Sequence, residues 1–124
     1  MRISRKRFEN LVAHTASQVI SSLPEELRSH ARDVLFAVED RPPRIPGEPY
    51  TDDLLGLYEG TPLPQRGVDY ANIIPDQITL FWKPLGEMAE SLPELREEIR
   101  MTIIHELGHF FGFTEEELEQ RGLG

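Results

Sequence analysis

Residues 93–115 read Pro93-Glu94-Leu95-Arg96-Glu97-Glu98-Ile99-Arg100-Met101-Thr102-Ile103-Ile104-His105-Glu106-Leu107-Gly108-His109-Phe110-Phe111-Gly112-Phe113-Thr114-Glu115. The apolar residues among them predict the longest helix of the chain, from Pro93 to about Phe111. Leu95, Ile99, Ile103, Leu107, Phe110 and Phe111 recur at helical spacing and form one broad apolar sector. His105 and His109 point away from it, with Glu98 lower on their side. A helix apolar on one side and carrying two histidines on the other is expected to be buried on both. Ser91-Leu92-Pro93-Glu94 repeats Ser22-Leu23-Pro24-Glu25, which is a shared helix-start signal and not a duplication.

His105-Glu106-Leu107-Gly108-His109 matches H-E-x-x-H. On a helix, residues four apart project about 40° from each other, so both imidazoles reach one zinc ion. Glu106 sits beside His105 on the same turn. There its carboxylate can serve as general base toward a metal-activated water and return the proton to a leaving amine.

A catalytic zinc needs a third protein ligand. Gly112 permits the left-handed turn that ends a helix, and Phe113 can pack back on Leu107. Thr114-Glu115-Glu116-Glu117 then reads as a capping box, with Thr114 as N-cap and Glu117 as its reciprocal partner. The chain reverses at Gly112 and starts a new helix, bringing Glu115 near the end of the histidine helix. Glu115 is therefore the favoured third ligand, with Glu116 and Glu98 as competitors. Helix-dipole stabilisation alone also accounts for a glutamate triplet at this place.

Working outward, Arg5–Leu23 shows a helical period through Phe8, Leu11, Val12, Thr15, Val19 and Leu23, and Pro24 leads into a short helix over Glu25–Ala31. Val34–Val38, Leu54–Tyr58 and Ile78–Trp82 read as strands. The last is also a candidate edge for an extended peptide, with Phe81 and Trp82 on its two faces. Arg44–Asp53 and Pro62–Pro75 read as proline-rich connections. Helix, strands and then helices at the end predict an α+β fold with a small sheet in one domain spanning 1–124.

Composition bounds the function. The chain has 124 residues, a net charge of −9 and no cysteine, which rules out disulfides, thiol catalysis and Cys-ligated zinc. Residues 87–124 hold ten glutamates against three arginines, so the charge concentrates at the C-terminal end. That balance opposes nucleic-acid binding, which needs clustered Lys and Arg. No apolar run approaches the ~20 residues of a membrane span. Phe8–Ser22 is interrupted by Glu9, Asn10, His14 and Gln18 and forms no signal-peptide core. A soluble, cytoplasmic protein with no membrane partner is expected. His14 and His30 read as exposed, and Arg2, Arg5, Lys6 and Arg7 as a solvated start. Tyr58 or Tyr70 is a candidate oxyanion donor, although a half-buried strand tyrosine is the commoner reason for such a residue.

With these residues in view, the sequence resembles the small bacterial proteins of the minimal zincin-like family, candidate zinc metallopeptidases related in outline to metzincins. The resemblance rests on Leu54-Leu55-Gly56-Leu57-Tyr58-Glu59-Gly60, on Pro75-Asp76-Gln77-Ile78-Thr79-Leu80 and on His105 through Leu118. It implies a zincin-like fold, with a small mixed sheet against an N-terminal helix and the zinc-site helix, and a short C-terminal helix. It implies Zn2+ at His105 and His109, Glu106 in the catalytic position, and a peptide or protein substrate. The family's third-ligand position, often Asp, falls on Glu115; metzincins carry a third histidine there. With few residues after Glu115, no Met-turn beneath the metal and no specificity-pocket wall are expected. Three readings follow: a zinc-dependent peptidase, a zinc-binding interaction module without efficient protease activity, or a metal hydrolase acting on another amide.

Overall fold

Ser4 opens the first helix, its hydroxyl accepting from the Arg7 N–H at 3.1 Å. This helix, α1 (Arg5–Ser22), buries Phe8, Val12, Thr15, Ala16 and Val19, the stripe its period predicts. A short helix α2 (Glu25–Ala31) follows, with Pro24 at its cap and no side-chain bond there. The two Ser-Leu-Pro-Glu segments therefore act differently. Ser91 caps the helix that follows it, while the Ser22 hydroxyl donates back to the Val19 carbonyl at 2.7 Å. The computed structural model describes residues 1–44, 46–49, 54–65 and 75–122; most of the Pro62–Pro75 connection lies outside them.

Three strands form one mixed sheet: β1 (Leu35–Glu39), β2 (Gly56–Glu59) and β3 (Gln77–Phe81), in the order β1-β3-β2. β1 runs parallel to β3, with Leu35 opposite Gln77 and Glu39 opposite Phe81. β2 runs antiparallel to it, with Gly56 opposite Leu80 and Glu59 opposite Gln77. β3 is flanked on both sides and offers no edge, so the strand expected to receive a peptide is the wrong one; among the described residues β2 lies at an edge. Ile78, Thr79, Leu80 and Phe81 are all buried, as a central strand requires.

Two further differences concern boundaries. The β3 strand stops at Phe81, and Trp82 begins an unforeseen helix α3 (Trp82–Met88). Lys83-Pro84 reads as a strand breaker, yet proline is tolerated in a helix's first turn because its missing N–H has no partner there anyway. Trp82 is half-buried and donates its indole N–H to the Ile3 carbonyl at 3.0 Å. Arg5 also departs from a solvated role: its guanidinium binds Asp40 at 2.8 Å and the Val38 carbonyl at 2.7 Å, tying α1 to the end of β1.

The longest helix, α4 (Leu92–Phe111), lies against α1, α3, β2 and β3. Ser91 caps it by accepting from the Glu94 N–H, and Pro93 stands in its first turn. Leu95, Ile99, Ile103, Leu107, Phe110 and Phe111 are all buried in the common core with Phe8, Ile78 and Leu80. A last helix, α5 (Glu115–Gln120), buries Leu118. The result is the expected α+β arrangement, a small mixed sheet against the N-terminal helix and the histidine helix.

Candidate metal centre

α4 buries more than its apolar sector. Thr102 and Glu106, one turn apart, form a second buried stripe facing β2. Gly56 makes the close approach of that strand possible, because a Cβ there would stand 2.6 Å from Thr102 Cγ2 and 3.4 Å from Glu106 Cγ. The approach lets a strand amide reach the helix. The Tyr58 N–H donates to Glu106 Oε1 at 2.9 Å, which satisfies a carboxylate only 6% exposed.

The histidines flank this carboxylate on the open side of the helix. His109 Nδ1 lies 3.2 Å from Glu106 Oε1, and His105 Nε2 lies 3.9 Å from Glu106 Oε2. The two rings meet edge to face with centroids 4.8 Å apart. Their side chains are 46% and 52% exposed. The expectation of burial on both sides of α4 therefore fails: the apolar sector and Glu106 are covered, and the imidazoles border solvent. That suits a site a substrate must reach.

The chain reversal after α4 is the expected one. Gly112 adopts the left-handed conformation, φ 76°, and its N–H bonds the His109 carbonyl while the Phe113 N–H bonds that of Gly108. This is a Schellman ending. The Phe113 ring lies 5.4 Å from that of Phe111. Thr114 and Glu117 exchange the two bonds of the capping box, each at 3.1 Å. Glu115 starts α5 and its Oε1 stands 3.0 Å from His105 Nδ1. Glu116 is exposed on the same helix.

Among the described residues, the donors lying within 4.8 Å of one another belong to His105, Glu106 and His109. Glu115 adjoins this group through His105, while Glu98 and Glu116 are outside it. Donors ~2.1 Å from a tetrahedral zinc stand ~3.4 Å apart, so small side-chain rotations would close the cluster on an ion. Two imidazoles with carboxylates beside them are a donor set suited to zinc. As the side chains stand, Nδ1 of each ring faces a carboxylate, Glu115 for His105 and Glu106 for His109.

The family profile of zincin-like metallopeptidases matches residues 31–124. The chain belongs to the zincin-like metallopeptidase family. The match takes in all three strands and the H-E-x-x-H helix of this zincin-like protein. No curated protein matches the chain.

The remaining candidates fall outside the centre. The Tyr58 hydroxyl donates to the buried Asp76 carboxylate at 2.6 Å, which is the strand-tyrosine role and not that of an oxyanion donor. Tyr70 lies outside the described residues. His14 and His30 are exposed on α1 and α2. The Tyr58 amide is the group that sequence reasoning missed, since a backbone donor aimed at Glu106 depends on which strand lies across the helix. Among the described residues no helix is long and apolar enough to cross a membrane.

Proposed function

We propose that this zincin-like protein is a zinc-dependent peptidase, with His105, His109 and Glu115 holding the ion and Glu106 as general base and acid. One observation carries the reading. A buried carboxylate is pinned between two half-exposed histidines four residues apart, and a purely structural zinc site needs no such base.

When bound, zinc would supply Lewis acidity toward a water and toward the scissile carbonyl. The chain's own part is proton handling and position. Glu106 Oε1 accepts from the Tyr58 amide and faces His109 Nδ1, so this oxygen is committed. Oε2 has no hydrogen bond among the described residues and faces His105 Nε2 at 3.9 Å. Oε2 is therefore the atom that takes the water's proton and then delivers it to the leaving amine nitrogen. The Tyr58 amide fixes the carboxylate against rotation while this happens. Charge supports a peptide substrate over a nucleic acid, since the C-terminal end is strongly acidic.

The test couples metal content to cleavage. Purified protein is expected to hold about one zinc per chain, removable by chelator, and to cleave members of an unbiased peptide library only when loaded. Zinc binding without any cleavage would instead support a non-catalytic interaction module on the same fold.

A further inference from the structure

Beside His105, α4 and α5 enclose a cavity of about 160 Å³ lined by Arg100, Met101, Ile104, His105, Glu115, Leu118 and Glu119. It is smaller than the ~300–1,000 Å³ of pockets for drug-sized ligands, so its scale is that of one side chain. Its walls are aliphatic: Ile104, buried Leu118, and Met101, which is half exposed although large and apolar. Leu118 reaches the wall because residue 108 is glycine; a Cβ there would stand 2.7 Å from Leu118 Cδ1. The C-terminal helix thus supplies a wall beside the centre where none was expected.

The rim is acidic, and one carboxylate in it is uncommitted. Glu115 is engaged by His105. Glu119 has no ion-pair partner among the described residues, and it sits in the last turn of α5, where a negative side chain gains nothing from the helix dipole. Neither arginine at this end neutralises it. Arg100 is held by Glu97 through two bonds of 3.0 and 2.5 Å, and the Arg121 guanidinium lies 4.2 Å over the Phe113 ring. An apolar pocket whose lining includes a carboxylate with no ion-pair partner among the described residues matches a side chain with an aliphatic stem and a cationic tip.

We propose that this cavity is a specificity subsite for a lysine or arginine side chain of the peptide substrate, its stem against Met101, Ile104 and Leu118 and its cation at Glu119. The proposal rests on the peptidase reading, and the following measurements separate the two. Zinc-loaded Glu106→Gln protein binds fluorescent alanine-based peptides carrying one central lysine or, in its place, the uncharged isostere norleucine. Anisotropy titrations should favour lysine by about fivefold, the upper end for an exposed ion pair. Adding Glu119→Gln should bring that ratio to about one, whereas adding Glu116→Gln, which removes the same charge outside the cavity, should preserve it. Equal affinities for the two peptides, equal losses in both glutamate variants, or no peptide binding would overturn the subsite. Wild-type cleavage of the same peptides reports on the peptidase reading alone. Cleavage without basic preference removes the subsite and keeps the peptidase; Glu119-dependent lysine binding without cleavage does the reverse.

Discussion

Glu106 carries two hydrogen-bonding demands at once, and they fall on different oxygens. Oε1 belongs to the Tyr58 amide and His109, and Oε2 faces the open site. Glu106→Gln should therefore keep the fold and the metal while lowering peptide cleavage by at least ~10²-fold, the low end for loss of a general base. Metal analysis and turnover on the same preparation check it, and unchanged turnover removes Glu106 from the mechanism. His105→Ala with His109→Ala should abolish stoichiometric zinc, as read by metal analysis after dialysis. Glu115 has a graded test. Zinc competition titrations should show Glu115→Ala far weaker than Glu116→Ala or Glu117→Ala. A loss beyond 10–100-fold marks direct ligation, since that range is typical of a residue that only orients a ligand. The spacing of His105, Glu106 and His109 was legible because helix geometry alone brings them together. The Tyr58 amide was not, because its place depends on a strand crossing the helix from 48 residues away.

At the scale of elements, caps and helices were the legible part. Ser91, Gly112 and the Thr114–Glu117 box act within a few residues of themselves, so local chemistry suffices to place them. The sheet was harder. Its three strands were visible to within two residues, but their order was not, and β3 proved central. Helix α3 was hidden by Pro84, whose breaking effect applies to a helix interior and not to a first turn. Gly56 sets the contact between β2 and α4, which yields a prediction. Gly56→Ala places a methyl against Thr102 Cγ2 and should cost ~1–3 kcal/mol in urea unfolding, the usual range for overpacking. Thr102→Ser removes that Cγ2 and should restore much of the loss in the double variant. Additive losses would show that the strain lies elsewhere.

For the whole molecule, the centre joins α4 to α5 and to β2, so a bound ion should stabilise the folded chain by linkage. At free zinc 100 times its dissociation constant the gain is ~2.7 kcal/mol, enough to raise the melting temperature by several degrees. Scanning calorimetry with zinc and with chelator should show this shift in the wild type and not in the double histidine variant.

The strand order carries one more consequence, for the time course of folding. No pair of strands in this sheet is joined by a tight hairpin: β1 must wait for β3, and β2 is separated from β3 by residues 60–76. Closing such distant pairings is entropically slow, so the transition state should form around the contact of α1 with α4. Stopped-flow substitution analysis should then find Val12 and Ile103 consolidated early and Leu57 late. The Tyr58 amide would meet Glu106 only near the end of that sequence, so a partly folded chain would lack the geometry of the candidate metal centre.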